Sequence, residues 1–160
     1  LLACEIAAWC KAQGSSFFQY MIEIYKDLGL YQEALVNVVR KGREGAEEIK
    51  KMMSDFRNNP VKALASSKVV LVKDFQEQTA WDLVKDEKAE MTDIPKSNVL
   101  IYYTEDGTKV AIRPSGTEPK IKFYLDARGT DPKNADEVLA QFDESVRVLL
   151  RQEQYGKQDC

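Results

Sequence analysis

The sequence predicts an α+β chain: an antiparallel sheet covered by two helices and preceded by two short helices. Three observations carry that reading. Between residues 109 and 125 apolar side chains fall on alternate positions, Val110 and Ile112 first, then Ile121, Phe123 and Leu125, with polar or small residues between them. A period of two marks half-buried strands. Two other stretches carry apolar stripes at helical spacing: Ala46, Ile49, Met53 and Phe56 in one, and Ala135, Val138, Leu139, Phe142, Val146, Leu149 and Leu150 in the other. From residue 34 onward the order is strand, helix, strands, helix, and two such helices can cover one face of an antiparallel sheet.

Each element has a local reason. Residues 1–13, with Leu1, Leu2, Ile6, Ala7, Trp9 and Cys10, read as a mostly buried helix that Gly14 stops. Ser16 is placed to cap the next helix, with Gln19 as its reciprocal partner. That helix carries Phe17, Met21, Ile24, Tyr25 and Leu28 on one face and ends at Gly29. Residues 34–40 are β-branched and read as a strand, and Gly42 and Gly45 surround the start of a helix that runs to about Asn58. Its charged residues, Glu44, Glu47, Glu48, Lys50 and Lys51, read as a solvated face with pairing at three- and four-residue spacing. Residues 69–72 are a short buried strand, and Trp81 reads as edge-strand packing. Residues 85–96 are charged, end in Pro95, and read as a mobile loop. Residues 98–104 form a strand, and Glu105-Asp106-Gly107 signals a hairpin. Asp131 caps the last helix, with Pro132 in its first position.

Composition bounds the function. The chain has 160 residues, 44% of them hydrophobic and 31% charged, an ordinary balance for a globular domain with a core. A net charge of −3 argues against a broad nucleic-acid surface. No apolar run approaches the roughly 18 residues of a membrane helix, and no signal peptide is visible at the start of the chain. Three cysteines, odd and sparse, suggest a reducing compartment. There is no histidine, so the usual neutral-pH base is missing, and no metal-ligand spacing is visible.

The chemistry concentrates at residues 113–122. Gly116 can take a positive φ, so successive backbone N–H groups can converge on an anion. Ser115 and Thr117 add hydroxyl donors. Arg113 can grip two phosphate oxygens at once, and Lys120 or Lys122 adds a point charge. Pro114 and Pro119 fix the chain on either side. A lone Ser-Gly-Thr turn is more often a plain hairpin connection. The whole string between two strands is far more specific.

That string, Arg113-Pro-Ser-Gly-Thr-Glu-Pro-Lys-Ile-Lys-Phe-Tyr124, resembles the phosphate-binding loop in the C-terminal domain of the α-D-phosphohexomutases, the phosphoglucomutases and phosphomannomutases. The flanks share the resemblance: residues 96–100 and 105–107 lead into the loop as in bacterial members. Residues 30–33 and 41–46 are similar to the passage from the family's third domain to its fourth. The resemblance implies a TATA-binding-protein-like sheet of about four or five strands with two helices. It implies that residues 1–33 are the C-terminal helices of a truncated third domain and residues 34–160 the C-terminal phosphate-binding domain. It also implies that Arg113, Ser115, Gly116, Thr117 and Lys122 hold the non-reacting phosphate of a hexose phosphate. Glu118 and Lys120 are candidates for the rim. Lys122 stands where some members have an arginine, keeping the charge but not the bidentate fork.

The family's reaction moves a phosphoryl group between the 1- and 6-positions of the hexose, through an upstream phosphoserine and a hexose 1,6-bisphosphate intermediate. Its phosphoserine, its Asp-rich Mg2+ loop and its sugar-recognition loop have no counterpart in these residues. The chain therefore reads as the C-terminal piece of a longer cytoplasmic enzyme, inactive alone. Its expected partners are a hexose phosphate and the N-terminal domains of the same chain, with no nucleic acid and no membrane. The alternative is a free-standing phosphate-binding or interaction module without catalysis.

Overall fold

The computed structural model describes residues 1–40, 42–64, 67–91 and 94–129, and beyond them only Glu137, Ala140, Gln141, Glu144, Arg147 and Val148, each of them helical. The apolar stripe expected at 135–150 falls on the remaining positions, so the expected packing of the second covering helix lies outside the described residues.

Among the described residues eight strands make one antiparallel sheet in the order β1-β8-β7-β6-β3-β4-β5, with β2 paired to β3 off that path. They are β1 (Leu30–Val39), β2 (Ala63–Leu64), β3 (Ser67–Asp74), β4 (Thr79–Asp82), β5 (Glu87–Glu90), β6 (Leu100–Thr104), β7 (Lys109–Pro114) and β8 (Lys120–Gly129). The helices are α1 (Leu2–Ala12), α2 (Phe17–Leu28) and α3 (Gly42–Asn58). The class is α+β, as the alternation and the helical stripe predict.

The core lies between α3 and one face of the sheet. Ile49, Met52, Met53 and Phe56 of α3 are buried against Val36, Val69, Val72, Leu100, Tyr102, Val110, Ile112, Ile121, Phe123 and Leu125. The Phe56 and Phe123 rings meet edge to face, 5.9 Å between centroids. Met52 joins the stripe although the sequence pattern did not single it out. The far end of α3 is docked by polar contacts. The carbonyl of Phe56, one of the helix's terminal acceptors, receives the Tyr102 hydroxyl at 2.7 Å. Arg57 donates to Asp74 at 2.7 Å and to Asn98 at 3.0 Å. Asp74 also accepts from the backbone N–H groups of Gln76 and Glu77.

Four expectations need correction. Residues 85–96 are not all loop: β5 pairs with β4 from Thr79–Glu90 to Asp82–Glu87. The sheet is accordingly wider than four or five strands. Trp81 sits on β4, inside this edge hairpin, with its indole N–H donating to Asp86 at 3.0 Å and the Lys88 ammonium 4.3 Å from its ring. The first helix is not mostly buried, since only Cys10 is sequestered while Leu2 and Trp9 stay 71% and 54% exposed. The first strand starts at Leu30, where it already pairs with Gly129. The capping box at the head of α2 forms as the spacing predicts, with Ser16 and Gln19 each accepting the other's backbone N–H.

Candidate functional site

The strand pair β7–β8 sets up the site. Inward residues Val110, Ile112, Ile121, Phe123 and Leu125 go to the core, so period two sends their neighbours to the opposite face. There the antiparallel register lines up three rows. Arg113 pairs with Lys122, and Lys122 with Asn37 of β1. Ala111 pairs with Tyr124, and Tyr124 with Leu35. Lys109 pairs with Asp126, and Asp126 with Glu33.

The first row is cationic. Like charges directly opposite each other destabilise a strand pair. Among the described residues neither Arg113 nor Lys122 has an ion pair to offset that cost. Arg113 is exposed and Lys122 half-buried. The third row carries one cation and two carboxylates, and its cation is paired. Lys109 and Asp126 form an ion pair at 2.6 Å. That hydrogen bond, assisted by the Asp126, Tyr103 and Glu33 charges and opposed by partial burial, holds the Lys109 ammonium above its ordinary value.

Beyond Arg113 the chain turns through Ser115, Gly116, Thr117 and Glu118 into β8. The Ser115 N–H is spent on the Lys120 carbonyl at 2.8 Å, and the Lys120 N–H returns to the Glu118 carbonyl at 2.7 Å. The N–H groups of Gly116, Thr117 and Glu118 have no backbone acceptor among the described residues. Three successive donors without a backbone acceptor, in the turn that follows a cationic row, suit an anion. Gly116 does not use the left-handed region expected of it; the turn is long enough to reverse without it. What its missing side chain leaves is open space, for a Cβ there would meet nothing within 4 Å. That permits close approach to the backbone.

The two rim candidates hold each other. Lys120 pairs with Glu118. The hydrogen bond and charge of Lys120, with help from Lys122, keep the Glu118 carboxyl below its ordinary range. Lys120 is thus committed, and among the described residues of this strand pair Arg113 and Lys122 are the cations near the turn without an ion pair. The register also brings in Asn37, and the loop is tied to β1 where the Arg40 N–H donates to the Pro119 carbonyl at 2.9 Å. Sequence reasoning missed both residues, because β1 is remote in the chain and only its pairing with β8 brings them here. The Arg40 guanidinium in turn reaches Glu48 of α3 at 3.1 Å.

Among the described residues no three His, Cys, Asp or Glu side chains gather as a metal site. No helix there is long and apolar enough to cross a membrane.

Residues 35–145 match the family model for the C-terminal domain of phosphoglucomutase/phosphomannomutase. The chain is 43% identical over 150 residues to a probable phosphomannomutase of Haemophilus influenzae, covering 94% of this chain and 27% of that protein. It is 33% identical over 130 residues to a phosphoglucomutase of Staphylococcus aureus, covering 81% of this chain and 23% of that one. The solved open form of parafusin, a phosphoglucomutase-type phosphoprotein from Paramecium, superposes on 81% of this chain and 21% of its own at 12% identity, with a TM-score of 0.48. The chain therefore spans about a quarter of the length of these two relatives. With the family model covering most of its length, the chain belongs to the phosphoglucomutase/phosphomannomutase family and represents its C-terminal region.

Proposed function

We propose that the chain serves a hexose-phosphate mutase by holding the substrate's non-reacting phosphate while the other phosphoryl group is transferred. The observation that carries this reading is the cationic row Arg113–Lys122, without an ion pair among the described residues, joined to a turn whose Gly116 and Thr117 N–H groups have no backbone acceptor there. A phosphate dianion would relieve the like-charge opposition and take charge-assisted bonds from Arg113, the Ser115 and Thr117 hydroxyls, and Lys122. Binding a group that does not react orients the group that does.

In this reading residues 1–33 close a preceding domain, save that β1 already begins at Leu30. The open apolar surface of α1 and α2, where Leu2, Phe18 and Leu28 are 71%, 69% and 69% exposed, supports a neighbour there. The phosphoryl-carrying serine, the Mg2+ site, the hexose 1,6-bisphosphate intermediate and the choice of sugar belong to the preceding domains of a cytoplasmic enzyme. The 160-residue chain alone is inactive. Arg113→Ala in the full-length enzyme should raise KM and lower kcat, together worth roughly 2–4 kcal/mol of transition-state stabilisation. A loss under about 1 kcal/mol would count against the role.

A further inference from the structure

Among the described residues the sheet has two outer edges, and they are guarded differently. β5, at one end, is four residues long, and three of the four, Glu87, Lys88 and Glu90, are charged. A short, charged edge resists pairing with another strand. β1, at the other end, runs for ten residues in unbroken register with β8, with Glu33 as its one charge and no proline. Alternate residues of an edge strand point their backbone groups outward. The Arg40 N–H donates to the Pro119 carbonyl beside β8, so the even-numbered residues bond inward. Tyr31, Glu33, Leu35, Asn37 and Val39 therefore direct their N–H and C=O groups away from the sheet, and those N–H groups have no backbone acceptor among the described residues. The same residues carry the strand's exposed apolar side chains: Tyr31, Leu35 and Val39 are 41%, 47% and 60% exposed.

We propose that β1 pairs with β1 of a second copy of this chain, antiparallel across a two-fold axis at Leu35, so that the sheet continues from one copy into the other. In that register the strand is its own complement, as a two-fold interface requires. Leu35 meets the partner's Leu35, Tyr31 meets the partner's Val39, and Glu33 meets the partner's Asn37. All are odd-numbered, so outward N–H groups face outward C=O groups along the whole edge. The three exposed apolar residues cover one another, and Glu33 faces an amide instead of a like charge. Other axes do worse. An axis at Glu33 sets that carboxylate against its own copy. One at Asn37 leaves Tyr31 and Glu33 beyond the end of the partner strand. One at Ala34 or Val36 sets Leu35 against Glu33 or Asn37.

The test is sedimentation of the full-length enzyme over a concentration series, as wild type, Asn37→Glu, Asn37→Lys and Leu35→Pro. The wild type should dimerise, and amide exchange in residues 30–39 should slow as it does. Asn37→Glu places a carboxylate opposite Glu33 twice in the dimer and should weaken it about fivefold; Asn37→Lys places an ammonium there twice and should tighten it about threefold. Within one chain the same position lies opposite Lys122. There the glutamate gains and the lysine loses, so effects on folding run opposite to effects on the dimer. Leu35→Pro removes one outward N–H, leaves the bonds to β8 whole and should abolish the dimer. Circular dichroism matching the wild type shows that each variant is folded. A monomer up to about 100 μM, roughly 5.5 kcal/mol of association, overturns the proposal. So does protection of residues 30–39 that is independent of concentration, which gives the edge to another part of the same protein. A dimer indifferent to the Asn37 and Leu35 variants places the interface elsewhere and overturns it equally.

Discussion

Replacing Gly45 with alanine sets two effects of opposite sign against each other, and the structure decides between them. In an unobstructed helix the change is stabilising by up to about 1 kcal/mol, because glycine loses more backbone freedom on folding. At this position a Cβ would stand 2.6 Å from the carbonyl carbon and the Cβ of Arg40 and 2.8 Å from its carbonyl oxygen. Those are backbone atoms and the root of a side chain, so no rotamer change relieves the clash. Forced overpacking typically costs about 1–3 kcal/mol. The clash exceeds the helix gain, and Gly45→Ala should be destabilised by roughly 1–2 kcal/mol. With a urea slope of about 1–3 kcal/mol per molar, the unfolding midpoint should fall by around half to one molar. The site should feel it too, since Arg40 carries the N–H that holds the Pro119 carbonyl of the loop. The Gly116 and Thr117 amide signals should move in the variant while those of the β4–β5 hairpin do not. A higher midpoint, or an unmoved loop, would refute the claim that Gly45 is what lets α3 start this close to the strand.

Three further outcomes follow from the packing. Asp74→Ala leaves the Arg57 guanidinium, whose side chain is 16% exposed, without its carboxylate and two turn N–H groups without an acceptor, so stability should drop by about 3 kcal/mol in urea unfolding; under 1 kcal/mol would show that the pair contributes little. Tyr102→Phe removes the hydroxyl that satisfies the Phe56 carbonyl and should cost about 1–2 kcal/mol. Burial, countered in part by Arg57, raises the Tyr102 phenol above its ordinary 10.0. A raised pKa stabilises the fold below the unfolded value and loses that contribution as pH rises past it, so wild-type stability should fall above pH 10.0 more steeply than that of Tyr102→Phe. Burial disfavours the Asp106 carboxylate, but hydrogen bonds from Thr104 and Thr108 outweigh it and lower its pKa below 3.8. Its contribution is present above that value and is lost as pH falls through the depressed pKa, so Asp106→Asn should flatten the acid limb of a Tm-against-pH curve; an unchanged limb would refute the role.

What the sequence disclosed tracks where burial imposes a period. The alternation in β7 and β8 and the stripe of α3 could be read directly because each has one face in the core. The Ser16–Gln19 box could be read because capping is local. β5 was illegible for the opposite reason: all four of its residues are exposed, so neither face carries an apolar signal, and its Glu and Lys resemble a loop. α1 misled through composition, since its Leu and Trp residues look like core residues yet face solvent. At the site, the loop residues were legible as chemistry from their own string. The rows that give them a surface were not, because Asn37, Leu35 and Glu33 come from β1 and meet β8 only through long-range pairing. The expected positive φ of Gly116 was an inference from residue type, and a turn of this length does not need it.

That pairing of β1 with β8 has a consequence during synthesis. Leu30 is matched to Gly129 and Val39 to Lys120, so the edge of β1 that holds up the site waits for a partner made about ninety residues later. At about 5–20 residues per second, that is roughly 5–20 s in which an apolar strand leaves the ribosome with its hydrogen-bonding edge open. Such an edge is a template for pairing with other chains. Contacts of this separation also fold slowly, because loop closure precedes any gain from them. A nascent chain arrested before residue 120 should therefore recruit a holdase chaperone and aggregate readily, and one released past residue 129 should do neither.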